Sequence, residues 1–333
     1  MSGTRVGRAG RTRVAAQDGV AHALRATFLW AARRRRLARL AAGSALTRGT
    51  VRRFVAGETL PEALDALARL RARGLVTTVD ILGESVTTVD AARAAADRYL
   101  EVLAALADRG LDRNVSVKLT QIGLDVDPDA CRENLLRIVA RAAELEAFVR
   151  VDMEDHLRTD RTLALVREAQ AAHPNVGVVL QAYLRRTAAD VAEMNRERIR
   201  VRLCKGAYDE PAEVAFPHKA DVDDSFRRLV EALLREGEHP AIATHDELLI
   251  SWVRGYTERE GIDRTRFEFQ MLYGVRRDLQ EHLARQGFTV RVYVPFGTEW
   301  YPYFMRRLAE RPANVFFMAQ SVLREGRRPR SRR

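Results

Sequence analysis

Lysine is almost absent from this sequence. Of its 56 basic residues only Lys118, Lys205 and Lys219 are lysines, and all the others are arginine. Arg therefore fills the positions that need only positive charge, and the three Lys mark places where a compact ammonium matters. Cysteine is equally scarce. Cys131 and Cys204 are far apart and lack metal-ligand spacing. That argues against a disulfide framework and for a reducing, cytoplasmic setting. No uninterrupted apolar run approaches the roughly 20 residues of a membrane span. The Arg-rich start has no apolar segment with a cleavage site, so a secretory signal is not expected. A Gly-x-Gly-x-x-Gly fingerprint is missing after the first predicted strand, where Gly83 stands alone. A dinucleotide-binding Rossmann domain is therefore disfavoured.

What is present is ample core material and a lopsided charge. The 47% hydrophobic content of 333 residues suffices for one large domain or two small ones. The net charge of +11 first suggests nucleic acid. Its distribution argues otherwise. Residues 1–60 hold thirteen Arg against Asp18 and Glu58, and residues 325–333 hold five Arg against Glu325. The body between them is slightly acidic, so nucleic acid is not an expected partner of the body. Basic arms attract nucleic acid and anionic lipid equally well.

Residues 1–18 mix Gly, Arg, Ser and Thr without periodicity and are expected to be a disordered basic extension. N-terminal helices are expected over 19–73. The first spans 20–40, where Arg33 to Arg36 sit beside Phe28, Leu29 and Trp30, a pattern suited to an interface with anionic lipid. The second opens at Thr59, with Pro61 in its first turn and Glu62 at the capping-box position, carries an apolar stripe of Leu64, Leu67 and Leu70, and ends at Gly74. The rhythm then changes to short apolar strands alternating with longer helical runs. Strands are predicted at 75–81, 115–119, 148–153, 176–182, 199–203, 241–244, 267–271 and 290–294. Helical patterns lie between them, as at 91–108, 131–147, 161–172 and 225–236. Eight strands with helical connections predict an α/β fold, a (β/α)8 TIM-type barrel over 74–323, followed by a basic tail at 324–333.

In such a barrel, chemistry sits at the C-terminal ends of the strands. Those ends read Asp80, Lys118, Asp152, Gln181, Arg202, Lys205, His245, Gln270 and Tyr293. The stretch from Arg202 to Tyr208 is the densest. Arg202 and Lys205 put a planar donor fork and an ammonium on one short segment, and Gly206 removes a side chain where a backbone comes close to a ligand. Asp152, followed by Glu154 and Asp155, suits a general base or a metal ligand. His245 has no second His at ligand spacing, so a metal site is not expected. The last helix is aromatic and basic: Trp300, Tyr301 and Tyr303 precede Arg306 and Arg307, with Tyr303 and Arg307 four apart on one face. An aromatic wall beside an Arg fork suits a small apolar ring bearing a carboxylate.

Taken together these segments resemble the proline dehydrogenase family, in its short monofunctional bacterial form. The resemblance runs from about Val51 to Gln320. It rests on Val51 to Thr59, Leu82-Gly83-Glu84, Val117 to Gln121, Val151 to Asp155, Leu180 to Leu184, Arg202 to Tyr208, Ala243 to Asp246, Phe267 to Gln270, Tyr293 to Pro295 and Trp300 to Arg307. It implies non-covalently bound FAD and oxidation of L-proline to Δ1-pyrroline-5-carboxylate by hydride transfer to flavin N5. It also implies a membrane quinone as electron acceptor and a separate pyrroline-5-carboxylate dehydrogenase downstream. A cytoplasmic protein with peripheral contact at the inner face of an anionic membrane is the matching expectation.

By motif, Arg202 resembles the cation beside the reactive flavin edge, and Lys205, Gly206, Ala207 and Tyr208 resemble a cofactor loop. Met153, Gln181, Thr244, His245 and Gln270 look like further FAD contacts. Lys118, Arg306 and Arg307 resemble a clamp on the substrate carboxylate, and Asp152 and Tyr293 the remaining polar groups around proline. One departure is Asp209, where many relatives carry an aromatic residue. Two other classes stay open on the residues alone. An aldolase-type barrel could use Lys118 or Lys205 as a Schiff-base amine. A binding module could use the basic arms on nucleic acid.

Overall fold

The structure is a computed structural model that describes residues 51–310 except Glu84, without the side chains of Arg306 and residues 308–310. The expected extension at 1–18, the expected helix at 20–40 and the basic tail lie outside the described residues. The chain divides into two units: Val55–Gly297, and a remainder in which residues 51–54 and 298–310 are described.

The larger unit opens with helix α1 (Leu60–Arg71). Thr59 caps it in extended conformation, and Glu62 returns a carboxylate oxygen to the Thr59 backbone N–H at 3.2 Å, completing the capping box that the spacing predicts. Strands and helices then alternate. They are β1 (Val76–Ile81), α2 (Val89–Asp108), β2 (Asn114–Val117), α3 (Pro128–Glu144), β3 (Phe148–Val151), α4 (Thr159–Ala172), β4 (Val176–Gln181) and α5 (Thr187–Arg196). The second half holds β5 (Arg200–Cys204), α6 (Lys219–Glu236), β6 (Ala241–Ala243), α7 (Glu247–Arg259), β7 (Glu268–Leu272), α8 (Arg277–Arg285) and β8 (Val290–Phe296). All eight strands are parallel, each pairs with the next, and β8 closes on β1. This is the expected (β/α)8 barrel. Among the described residues no helix is long and apolar enough to cross a membrane.

Strand ends differ from expectation where backbone geometry intervenes. β2 stops at Val117 because residues 119–122 wind into a 3₁₀ turn capped by Lys118. β3 stops at Val151, two residues early, and β8 runs on to Phe296.

One face of each strand is apolar. Val115, Val117, Val149, Val151, Leu203, Ile242, Phe269, Val292 and Val294 are fully buried in the core. α3 meets that layer with Cys131, Leu135, Ile138 and Val139, one stripe at helical spacing. Each such side chain contributes roughly 1.5–3 kcal/mol by leaving water. The alternate residues face the lumen, and on most strands they are polar. Contacts between non-adjacent strands establish this: Arg202 on β5 reaches Ser116 on β2, and Tyr293 on β8 reaches Asp152 beyond β3. Such contacts can only cross the barrel interior.

Candidate active site

At the C-terminal end of the lumen, four strands converge on one carboxylate. Asp152, immediately after β3, receives Arg202 Nη1 on Oδ1 at 2.9 Å and the Tyr293 hydroxyl on Oδ2 at 2.8 Å. Lys118 Nζ donates to the same Oδ2 at 3.3 Å, to Asp80 Oδ1 at 2.7 Å and to the Tyr293 hydroxyl oxygen at 3.2 Å. All three ammonium hydrogens are thereby committed. Arg202 Nη2 donates to Ser116 Oγ at 3.0 Å, and its guanidinium lies 5.3 Å from the centre of the Tyr293 ring. Sequence reading brings Lys118, Asp152, Arg202 and Tyr293 here. It places Asp80 at a strand end without a role, and it misses Ser116.

The electrostatics follow from shared burial. Asp80 is 1% exposed, and burial raises its carboxyl above the usual range although Lys118 pulls it down. Burial also pushes Asp152 up, but Lys118 and Arg202 together outweigh it and hold that carboxyl low. The Lys118 ammonium is penalised by burial, yet Asp80 and then Asp152 keep it firmly protonated. Burial, then Asp152 and Asp80, drive the Tyr293 phenol well upward, so it stays a neutral donor. Two acids and two cations cancel within this cluster. A Schiff-base lysine needs a neutral amine. Lys118 is held in the opposite state, and Lys205 sits between Asp223 at 2.6 Å and Asp246 at 3.0 Å. The aldolase-type alternative therefore loses Lys118 as its amine, and Lys205 Nζ is engaged by two carboxylates.

The residues expected to hold the cofactor occupy a different arc of the mouth. Met153 follows β3, Gln181 ends β4, Arg202 and the 205–208 loop leave β5, Thr244 and His245 follow β6, and Gln270 lies on β7. Gln181 Nε2 donates to the Glu154 carbonyl at 2.9 Å, and Glu154 in turn accepts from the Thr120 backbone at 3.1 Å. Thr244 Oγ1 accepts from the Asp246 N–H at 3.1 Å. His245 Nε2 accepts from the Leu272 N–H at 2.9 Å, which fixes the ring tautomer with its proton on Nδ1. Lys205 and Lys219 hold Asp223 low against the upward push of burial, and Lys205 does the same for Asp246.

Gly206 has a local reason beyond ligand approach. Its φ is +125°, and a Cβ there would sit 2.3 Å from the Tyr183 ring. The loop after β5 is thus threaded over Tyr183, whose N–H donates to the Lys205 carbonyl at 2.9 Å. Ala207 is exposed and Tyr208 half-buried. Buried polar atoms on this arc are left over: Arg202 Nε, a donor, and Gln270 Oε1, an acceptor, have no hydrogen-bond partner among the described residues.

In the smaller unit, helix α9 (Trp300–Glu310) is described by itself. Arg307 lies 5.1 Å from the Tyr303 ring centre, as their four-residue spacing predicts. Trp300, Phe304 and Phe54 form an edge-on aromatic group, with centroids 6.1 Å apart for Phe54 and Phe304. The Arg306 side chain lies outside the described residues.

Comparison with known proteins bears on this arrangement. The profile of the family described as "Proline dehydrogenase" matches residues 63–320. A curated relative from Deinococcus radiodurans, named proline dehydrogenase, is 44% identical over 279 residues, covering 82% of this chain and 89% of the relative. Proline dehydrogenase 1 of Bacillus subtilis is 39% identical over 302 residues, covering 91% of this chain and all of the relative. Among solved structures, proline utilization A from Bdellovibrio bacteriovorus, inactivated by N-propargylglycine, superposes with a TM-score of 0.74 at 28% identity. That match covers 79% of this chain and 32% of the other, so the chain spans about a third of that larger protein. The chain belongs to the proline dehydrogenase family of enzymes.

Proposed function

We propose that this enzyme oxidises L-proline to Δ1-pyrroline-5-carboxylate with FAD as cofactor, passing electrons to a quinone and its product to a separate dehydrogenase. The observation that carries this reading is the division of the barrel mouth into two arcs. The ends of β8, β1, β2 and β3 bring Tyr293, Asp80, Lys118 and Asp152 into one compensated cluster. The ends of β3 to β7 carry the residues that would hold an elongated cofactor, and Arg202 belongs to both arcs through Asp152. The leftover Arg202 Nε and Gln270 Oε1 supply a donor and an acceptor of the kind a flavin ring needs.

When bound, FAD would take the hydride at N5 from the carbon beside the ring nitrogen of proline. The chain's own groups set the conditions. Asp152 stays ionised and fixes the Arg202 guanidinium, so that its charge is preorganised. Lys118 and Tyr293 hold Asp152 in turn, and the Tyr293 ring lies beside the Arg202 guanidinium. Because the cluster is neutral, binding an amino-acid carboxylate calls for further cations. Arg306 and Arg307 are assigned that role. The basic segment at 1–40 is assigned transient contact with an anionic membrane, where quinone resides.

The test is a visible spectrum of the purified protein. A bound oxidised flavin that bleaches anaerobically on adding L-proline is expected. A colourless protein that does not take up FAD, or a flavin indifferent to proline, overturns the reading.

A further inference from the structure

The lumen has a second end. A cavity of about 500 Å³ opens at the N-terminal ends of the strands, opposite the candidate active site. Phe148, Arg150, Arg200, His239, Glu268 and Arg291 are among its walls. Most charges there are paired. Glu268 accepts from Arg291 Nε at 2.9 and 3.0 Å, Arg113 meets Glu146 at 3.3 Å, and Asp112 accepts from the Thr77 N–H at 3.0 Å.

Arg150, Arg200 and Asp112 are the exceptions among the described residues: neither arginine has a carboxylate partner, and Asp112 has only the Thr77 N–H and hydroxyl. Arg150 is only 4% exposed. Its Nη1 donates to the backbone carbonyls of Val178 at 3.2 Å and Arg200 at 2.5 Å. Its Nε and Nη2 make no hydrogen bond among the described residues, and no carboxylate there comes within ion-pair distance. The Arg200 side chain, half-buried, lies over the Phe148 ring and makes no ion pair among the described residues. The two guanidinium carbons lie 4.9 and 5.3 Å from that ring's centre. The backbone is shaped to admit Arg150. A Cβ at Gly177 would sit 2.7 Å from Arg150 Nη1 and 2.5 Å from the Arg200 carbonyl. A buried cation without a counterion is costly, and native proteins compensate such charges. Burial, then Arg202, pulls the Arg150 pKa well below its usual range; Glu268 opposes this in part, and Arg291 and Arg200 add to it.

We propose that this cavity binds a small oxyanion, through phosphate or carboxylate oxygens, between Arg150 and Arg200. The guanidinium fork matches two oxygens of either group, and Phe148 keeps both cations in place. The site shares β3 and β5 with the candidate active site but none of its residues, and it does not depend on the proposed chemistry there.

The test uses the full-length protein, loaded with its cofactor, in a non-coordinating buffer. Inorganic phosphate and citrate are titrated separately against chloride at equal ionic strength, with melting temperature and calorimetric heat as readouts. A saturable rise with either probe, beyond chloride, is expected. Phosphate alone would identify an inorganic or phosphorylated ligand, and citrate alone a carboxylate. Arg200→Gln is expected to weaken binding at least ten-fold while dye-linked proline oxidation stays within two-fold of wild type. Arg150→Met should do the same to binding, and Arg200→Gln decides the matter if Arg150→Met does not fold. Absence of binding above chloride, or undiminished binding in Arg200→Gln, overturns the proposal.

Discussion

The two ends of one lumen handle charge in opposite ways. At the upper end Asp80, Lys118, Asp152 and Arg202 cancel, and Tyr293 ties them together. At the lower end Arg150 and Arg200 remain after every local carboxylate has another partner. The same two strands serve both: β3 carries Arg150 and leads to Asp152, and β5 carries Arg200 and Arg202. Compensation confers rigidity, because a buried pair with several hydrogen bonds has one good geometry. Surplus charge leaves an unmet demand that a ligand can satisfy. The upper end is thus built to hold its groups still, and its substrate charge must be met from elsewhere.

The largest predicted effect breaks the upper end at its hub. Asp152→Ala leaves Lys118 and Arg202 buried with one carboxylate between them. Removing one partner of a buried pair costs about 3–5 kcal/mol. Loss of a preorganised polar group also lowers kcat/KM by about 100-fold or more. Urea unfolding and dye-linked proline oxidation measure the two effects. If Asp152→Ala destabilises no more than Arg150→Met, the contrast between a compensated and an uncompensated end is wrong.

Next in size is the origin of the missing positive charge. If Arg306 and Arg307 hold the substrate carboxylate as proposed, Arg306→Met and Arg307→Met each remove a charge-assisted contact worth on the order of 1.5–3 kcal/mol. That corresponds to a roughly 10–150-fold rise in KM for proline, with the flavin spectrum intact. Saturation by proline at wild-type concentrations in both variants would leave Lys118 alone of the three residues assigned to the substrate carboxylate.

Much of this was readable in the residues, for stated reasons. The barrel followed from eight short apolar runs separated by helix-length spacers, and the upper cluster from charged residues at strand ends. Asp80 entered that reading only as one strand end among nine, because nothing local distinguishes it. Its partnership with Lys118 spans 38 residues and exists only after β1 and β2 pair. The lower end went unread although its signal was present. Parallel strands buried on both faces usually read as continuous apolar runs. Here β3, β5, β7 and β8 alternate, as in Arg150 and Asp152, Arg200 and Arg202, Glu268 and Gln270, Arg291 and Tyr293. Period two in a parallel barrel means a polar lumen. Strand ends misplaced by two residues, as at β2 and β3, reflect 3₁₀ and loop geometry that apolar periodicity does not encode.

Two glycines sharpen the comparison at smaller cost. Gly206→Ala puts a side chain against the Tyr183 ring at a φ of +125°, and Gly177→Ala pushes on Arg150 and a backbone carbonyl. Each is expected to destabilise by about 1–3 kcal/mol. Only Gly206→Ala should loosen retention of flavin, measured by equilibrium dialysis. Equal flavin loss in both variants would mean that the lumen ends are not separable.

The smallest effect is a difference in how the two ends respond to acid. Asp152 and Glu268 both titrate below their ordinary values: burial raises each, but Lys118 and Arg202 outweigh it for Asp152, and Arg291 for Glu268. A depressed carboxyl contributes stability above its unfolded pKa, and that contribution is lost as pH falls through the folded pKa. Asp80 has the opposite sign. Burial raises its folded pKa, so the folded state binds its proton more readily and acidification recovers stability at that position. The upper end therefore contains opposing carboxylates, whereas Glu268 acts at the lower end without such a counterweight. Melting temperature measured from pH 7 to pH 3 should fall most steeply below about pH 4, near the unfolded carboxylate values. Glu268→Gln should flatten that limb, and Asp80→Asn should steepen it by removing the compensating group. Each kcal/mol moves the melting temperature by roughly 1–2 °C in a protein of this size, so differences of about one to a few degrees are expected. A flatter limb in Asp80→Asn would show that Lys118 outweighs burial at Asp80, and that both upper carboxylates are held ionised alike.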